Sequence, residues 1–243
     1  MTTLYIVRHG ETDLNRRGCF CGSSDYPLNE RGIAQAETLR EPMSKVAFDR
    51  IYASPLKRAK KTAECIRNDR DIEIIDTDGI REIDCGKWET LNRDEIEARW
   101  PGEIEFWAGK PHLLHMEGGE TFAEVQERVI RTVIDIVHRE RGNTVALACH
   151  MLVIQLIMTK LLGAPICDTW KVLNTPTNTS VTVIEVDDNG DFEIVRWSDD
   201  SHLPPELKDP NIKVTKMDDE IAESKYGLAN AMGKHHFEEF AVK

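Results

Sequence analysis

The chain has 243 residues, of which 40% are hydrophobic and 30% are charged, and its formal net charge is −12. This length accommodates one sizeable core with additions, and the negative charge argues against a nucleic-acid or anionic-membrane partner. The longest apolar stretch, around 151–158, is too short to span a bilayer, and the N-terminus has no signal-peptide pattern, so we expect a cytoplasmic protein.

Strand and helix patterns alternate along the chain. The predicted strands are 3–7, 50–53, 72–75 and 144–149, followed by a hairpin of 181–186 and 191–196 around Asp188-Asn189-Gly190. The predicted helices are 30–40, 55–68, 92–99, 121–140 and 151–162. This alternation predicts an α/β fold, with a doubly wound, mostly parallel sheet flanked by helices.

Local signals define the helix starts and the domain organisation. Ser54 is predicted as an N-cap with Pro55 at the first helical position, and Thr121-Phe-Ala-Glu124 is a capping box. We expect one domain over 1–198, with an irregular lid insertion around 79–120. Residues 199–243, rich in charges and prolines, are expected to form a C-terminal extension. This extension could contact a partner or a second copy of the chain in a homodimer.

The sequence gives no indication of a metal site or a cofactor site. The six cysteines are scattered through a mid-sized chain without a secretory signal, so we expect free thiols. Cys19-Phe20-Cys21 has the wrong spacing for a zinc site, and the pair His112 and His115 is more typical of lid packing than of metal binding.

Chemically unusual residues follow three of the predicted strands. Arg8-His9 ends the first strand, Arg58 lies just after the second, and His150 follows Cys149 at the end of the fourth. In a doubly wound sheet the carboxyl ends of the strands meet where ligands bind. We therefore expect two arginines and two histidines at one edge, with Glu82 added from the lid insertion.

This combination suits phosphoryl transfer. Guanidinium groups match a phosphate, a helix start after Ser54 adds backbone N–H groups, and Gly10 allows close approach of main chain to an anion. A neutral imidazole can act as a nucleophile, and nearby arginines disfavour its protonation. A carboxyl group such as Glu82 can protonate the leaving group. Each residue alone has an ordinary structural interpretation, but together they predict transfer through a phosphohistidine.

Six segments, in order, resemble the histidine phosphatase superfamily, the phosphoglycerate-mutase-like or "RHG" enzymes. They are "VRHGETDLN" (7–15), "GSSDYPLNERGIAQA" (22–36), "IYASPLKRAKKTAE" (51–64), "REIDCGKWE" (81–89), "GGETFAEVQERV" (118–129) and "VALACH" (145–150). The resemblance covers roughly 1–196 and implies the phosphoglycerate-mutase-like fold.

The resemblance also implies a role for individual residues. His9 matches the histidine that becomes phosphorylated, and Glu82 matches the acid that protonates the leaving alcohol and then assists water. The matches to phosphate-binding or substrate-binding positions are Arg8, Asn15, Cys21, Gly22, Arg58 and His150. The resemblance implies no metal, because arginines stabilise the charge that Mg²⁺ stabilises elsewhere. The family's usual glycines are replaced by Met151 and Thr90.

Three functions are compatible with this site. The first is a phosphomonoesterase acting on a small phosphorylated metabolite, which we favour because the lid offers Trp and His and no paired arginines. The second is a phosphoglycerate mutase, in which the phosphohistidine returns its phosphoryl group to a sugar acid. The third is a catalytically silent relative that binds a phosphorylated ligand, which ranks last because His9 and Glu82 are both present.

Overall fold

A computed structural model of the protein describes residues 1–209. Six strands form one sheet in the order β3-β2-β4-β1-β5-β6. The strands are β1 (Thr2–Arg8), β2 (Arg50–Ala53), β3 (Ile74–Asp76), β4 (Thr144–Cys149), β5 (Val181–Val186) and β6 (Phe192–Asp199). Strands β1, β2, β3 and β4 pair in parallel, and β5 and β6 add an antiparallel hairpin at one side. The prediction of a mostly parallel α/β sheet is confirmed.

The register of the central strands aligns their carboxyl ends. Arg8 pairs with Cys149, and Ala53 pairs with Ala148. The residues that follow these positions therefore leave the sheet side by side.

Helices cover both faces of the sheet. They are α1 (Asp13–Arg16), α2 (Glu30–Glu37), α3 (Arg40–Ser44), α4 (Lys57–Arg67), α5 (Arg93–Arg99), α6 (Glu103–Gly109), α7 (Phe122–Arg139) and α8 (Met151–Leu161). Alternate residues of a strand point to opposite faces. Accordingly Leu147 packs into the core with α7 and α8, whereas Ala146 and Ala148 pack into the core with α3 and α4.

The lid insertion contains more regular structure than its sequence indicates. Helix α5 begins at the predicted place, with Asn92 as its N-cap, but α6 was not predicted. The aromatic rings of Trp107, Phe122 and Phe20 pack edge to face, with centroids 4.9–5.1 Å apart, and Trp88 is fully buried. This aromatic cluster anchors the lid on the N-terminal end of α7, as expected for a small lid core.

Four predicted boundaries were wrong. The predicted helix 30–40 is two helices, α2 and α3. Strand β3 begins two residues later than predicted, and β6 extends to Asp199. Helix α4 begins at Lys57 rather than at Pro55, because Leu56 still has extended backbone (φ −70°, ψ 136°).

After β6 the chain returns across α2. Arg31 donates hydrogen bonds to the carbonyl oxygens of Glu206 (2.8 Å) and Lys208 (2.9 Å), and Gln35 donates to that of Leu207 (3.0 Å). The division of the chain at residue 198 stays a prediction, and most of the predicted extension, 210–243, lies outside the described residues. Within 1–209 no helix is long and apolar enough to cross a membrane.

Candidate active site

The predicted catalytic residues converge at the carboxyl edge of the sheet. The rings of His9 and His150 have centroids 5.1 Å apart and meet edge to face. Both are buried, as are Arg8, Arg58 and Glu82. A cavity of about 190 Å³ opens beside them, and the predicted site residues among those that line it are Arg8, His9, Asn15, Cys21, Gly22 and Glu82.

The imidazole of His9 is held as a neutral ring with a defined tautomer. Its Nδ1 lies 2.6 Å from the carbonyl oxygen of Gly10, which can only accept, so Nδ1 carries the proton and donates. Burial, and then the charges of Arg58 and Arg8, hold the pKa of His9 well below its usual range. Nε2 therefore keeps a free lone pair.

Two buried guanidinium groups flank this imidazole. Arg8 donates from Nη1 to the carbonyl oxygen of Pro176 (2.6 Å), and burial lowers the pKa of Arg8 to about 10, so it stays charged at neutral pH. Arg58 donates to the carbonyl oxygens of Cys21, Gly22 and Ser24 at 2.7–3.2 Å. The Nε of each arginine is buried and has no hydrogen-bond partner within residues 1–209. Arg8 lines the cavity, whereas Arg58 and His150 are not among its lining residues.

The loop that holds Arg58 is itself held by a carboxylate that the sequence did not indicate. Glu89 accepts hydrogen bonds from the backbone N–H groups of Gly22 (3.2 Å), Ser23 (2.8 Å) and Cys85 (3.0 Å). The N–H of Gly22 is thereby engaged with Glu89. Burial raises the pKa of the neighbouring Cys21 to about 11, so its thiol stays protonated.

Glu82 lies on the lid side of the cavity. Its carboxylate accepts from the backbone N–H groups of Ile83 (3.1 Å) and Leu152 (3.4 Å). Burial raises the pKa of Glu82 above its usual value, which favours a protonated carboxyl group. Arg128 donates to the carbonyl oxygen of Glu82 (3.2 Å) and forms an ion pair with Glu120 (2.8 Å), so these two residues fix the Glu82 backbone. Arg128 lies in the family-like segment 118–129, but nothing in that segment indicated this role.

The prediction that Ser54 caps a helix was wrong. Leu56 is the N-cap of α4 and makes no side-chain capping bond, while the Ser54 hydroxyl lies 2.7 Å from Nε2 of His150. The first N–H of the helix, from Lys57, donates to Asp25. At this helix start the N–H of Leu56 donates to Ser54 (3.5 Å) and that of Lys57 to Asp25 (2.7 Å), so neither of these two groups faces an anion.

The direction of this bond depends on which nitrogen of His150 carries the ring proton. In the tautomer with the proton on Nδ1, the Ser54 hydroxyl donates to Nε2. Nδ1 is buried and has no partner within the described residues, so in that tautomer it is an unused donor. Burial, and then the charge of Arg58, hold the pKa of His150 well below its usual range, so the ring is neutral.

Two further expectations change in detail. The N–H of Gly10 donates to Thr62 (3.2 Å) rather than facing an anion, and a Cβ at Gly10 would overlap the carbonyl oxygen of Gly32. Gly10 therefore permits the loop to pack on α2. Asn15 uses its Oδ1 to accept from the N–H of Thr12 (3.1 Å) while its side chain lines the cavity.

In residues 1–209 no group of three or more His, Cys, Asp or Glu side chains is arranged to hold a metal ion. All six cysteines are free, as expected. Arginine side chains supply the positive charge at the cavity: Arg8 and Arg93 line it, and the charge of the buried Arg58 acts on His9.

The comparison with known proteins places this geometry in a family. The model of the histidine phosphatase superfamily (branch 1) matches residues 4–200. The chain belongs to the histidine phosphatase superfamily. The family resemblance of the sequence motifs is thereby confirmed.

Individual relatives within the superfamily are phosphatases and mutases. The chain is 34% identical to phosphoserine phosphatase 1 of Hydrogenobacter thermophilus, over 70% of this chain and 81% of that protein. It is 32% identical to a 2,3-bisphosphoglycerate-dependent phosphoglycerate mutase of Bartonella henselae, over 61% of this chain and 75% of that protein. Among solved structures, Bacillus stearothermophilus YhfR superposes with a TM-score of 0.80 at 37% identity, over 83% of this chain and 99% of that one.

Proposed function

We propose that this protein is a phosphomonoesterase that hydrolyses a small phosphorylated metabolite through a phosphohistidine on His9. The observation that carries the proposal is the state of His9: its Nδ1 donates to Gly10, while burial and the charges of Arg58 and Arg8 lower its pKa and keep the ring neutral. This arrangement combines a free nucleophilic lone pair with a pocket for a phosphate dianion.

In the first step Nε2 of His9 attacks phosphorus. The P–N bond forms as the P–O bond to the leaving group breaks, and Glu82 transfers its proton to the departing oxygen. Arg8 and Arg58 donate to the non-bridging oxygens and stabilise the charge that develops on them. The raised pKa of Glu82 supports this role, because burial favours the protonated carboxyl group over the carboxylate.

In the second step water attacks the phosphohistidine. Glu82, now a carboxylate, accepts a proton from the water as the P–O bond forms and the P–N bond breaks. His9 returns to its neutral state and Glu82 to its protonated state, so the cycle closes without a metal or cofactor.

Ser54 acts in this scheme as a positioning residue. By donating to Nε2 of His150 it keeps the ring proton on Nδ1, from which His150 donates to a phosphate oxygen. Asn15 donates to the same phosphate, and Cys21 and Gly22 act mainly by holding Arg58 and by lining the cavity.

The test of this function is hydrolysis of p-nitrophenyl phosphate by the purified protein in excess EDTA. We expect phosphate release that is unaffected by the chelator. Activity that disappears in EDTA and returns only on addition of a divalent cation would contradict the proposal.

A phosphoglycerate mutase is the second candidate, supported by the similarity to the Bartonella henselae mutase. It uses the same pocket but returns the phosphoryl group to a sugar acid instead of to water. Interconversion of 2- and 3-phosphoglycerate faster than release of phosphate would favour the mutase. A silent phospho-ligand-binding role is weakened because His9 and Glu82 are both buried beside the cavity.

We also propose a cytoplasmic location and a homodimer. The six free cysteines support a reducing compartment. The outer strand β6 exposes Val195 to 42% at the side of the sheet, which is a surface that a second copy can cover. Cell fractionation and light scattering test these two statements.

A further inference from the structure

The catalytic cavity is small for a whole substrate. Its volume of about 190 Å³ lies below the roughly 300–1,000 Å³ that is usual for small-molecule sites. It accommodates a phosphate group and the first atoms of a leaving group. A larger substrate must extend beyond it.

A second cavity of about 540 Å³ lies against the first. Four side chains line both cavities: Arg8, Asn15, Cys19 and Met151. Met151, which stands where the family commonly has glycine, therefore lies between the two spaces. The Met151 side chain separates the two cavities and has no role in the proposed reaction.

The lining of the second cavity is polar but nearly balanced in charge. Beyond the shared residues it includes Gln35, Thr175, Thr177 and Asn178, with both acidic and basic side chains at its border. Besides Arg8, two arginines line it. Arg31 is engaged through Glu11 (3.4 Å) and two backbone carbonyl oxygens at 2.8 and 2.9 Å, and Arg16 forms an ion pair with Asp13 (3.1 Å). Such a lining favours an uncharged body with several hydroxyl groups over a second phosphate or carboxylate.

One wall of this cavity lies beyond the part of the chain that the family model matches. We call residues 201–209 the strap. Leu203 and Leu207 of the strap line the cavity. Lys208 of the strap forms an ion pair (2.8 Å) with the buried Asp200, and α2 holds the strap through Arg31 and Gln35. The family match ends at residue 200, so the strap lies outside the matched region.

We propose that the second cavity is the subsite for a sugar-sized, hydroxyl-rich leaving group, and that the strap sets this specificity. The inference rests on the proposed phosphatase function and deepens it. The phosphate binds between Arg8 and Arg58, and the sugar extends past Met151 and packs against Leu203 and Leu207. Hexose phosphates are then better substrates than phosphoserine, whose three-carbon body leaves the second cavity unfilled.

The experiment compares kcat/KM for D-glucose 6-phosphate and O-phospho-L-serine, measured on the full chain. We expect the wild-type ratio of the two values to favour the hexose phosphate at least tenfold. Leu207→Trp fills the cavity from the strap, and Thr175→Phe fills it from outside the strap. We expect each variant to reduce this ratio at least tenfold.

The matched control is Leu113→Trp, an equal substitution at a leucine that is 51% exposed on the lid and lines neither cavity. It should leave the ratio at its wild-type value. Thermal unfolding of each variant verifies folding, and Thr175→Phe provides the test if Leu207→Trp does not fold.

The proposal would be overturned by a wild-type preference for phosphoserine, or by an equal loss for both substrates in both cavity variants. Loss of the ratio in Arg93→Ala alone would also overturn it, because Arg93 lines the catalytic cavity on the lid side. Failure of the phosphatase function itself is recognised separately, as wild-type protein that does not hydrolyse even p-nitrophenyl phosphate.

Discussion

Replacing Ser54 with alanine tests whether a buried hydroxyl group orients the second histidine. The substitution removes the partner of Nε2 of His150, in a ring that is fully buried. A buried polar atom left without a partner costs about 1–3 kcal/mol. If the His150 ring rotates or changes tautomer to avoid this cost, its Nδ1 no longer donates a hydrogen bond to the phosphate. Since about 1.4 kcal/mol corresponds to a factor of ten, we expect kcat/KM to fall about 5- to 150-fold.

The assay measures kcat/KM for p-nitrophenyl phosphate together with the ¹⁵N chemical shifts of His150. Ser54→Thr keeps the hydroxyl group and should restore most of the activity and the wild-type shifts. Ser180→Ala is the matched control, because the Ser180 hydroxyl is also buried but has no hydrogen-bond partner within residues 1–209. The reasoning is refuted if Ser54→Ala retains kcat/KM within twofold of wild type, or if His150 keeps its tautomer.

The remaining predictions concern the acid, the pH profile and the lid. Glu82→Gln cannot donate a proton, so kcat for an alkyl phosphate should fall about 10²- to 10⁴-fold, with a much smaller loss for p-nitrophenyl phosphate; equal losses would contradict the acid role. The profile of kcat/KM against pH should fall as the pH rises through the raised pKa of Glu82, and at low pH only as His9 protonates, well below its usual pKa; a fall on the high-pH side that persists in Glu82→Gln would exclude Glu82 as its origin. Thr90 has φ +68°, a strained region for a β-branched residue, so Thr90→Gly should raise the free energy of unfolding by about 1 kcal/mol, or the melting temperature by about 2–4 °C. The control is Thr77→Gly, at φ −133°, which should lower both the free energy of unfolding and the melting temperature. A Thr90→Gly protein that is no more stable than wild type would show that the Thr90 backbone is not strained.

The sequence predicted the convergence of the site because parallel strands impose it. Once β1, β2 and β4 are recognised as strands of one sheet, the residues that follow Val7, Ala53 and Cys149 must leave at one edge. His9, His150 and the two arginines were therefore identified from the strands predicted along the chain and from the family-like segments. Glu82 was identified from the segment "REIDCGKWE" (81–89), because the irregular stretch around it shows no helical or strand periodicity that would predict its position.

The errors arose where a tertiary contact overrode a local signal. Ser54 has the local signature of a helix cap, but its hydroxyl is used by His150, 96 residues further along the chain. Gly10 indicated an anion site but is required by the packing of Gly32. Glu89 and Arg128 lie within the family-like segments 81–89 and 118–129, but they act through backbone groups of distant loops, and the motifs alone do not indicate that role.

The helix α6 escaped prediction for a related reason. It follows Pro101-Gly102, which is typical of a turn, and Gly102 has φ +84°. Its seven residues are stabilised by the aromatic cluster around Trp107 rather than by their own periodicity. Short lid helices of this kind depend on the surface they cover.

The most direct test of the central claim is to trap the phosphoenzyme. The enzyme is mixed with an excess of p-nitrophenyl phosphate, quenched rapidly in alkali, digested and examined by mass spectrometry. We predict an acid-labile, alkali-stable phosphoryl group on His9, absent from His9→Ala. A phosphoryl group on another residue, or an undiminished phosphoenzyme in His9→Ala, would contradict the account.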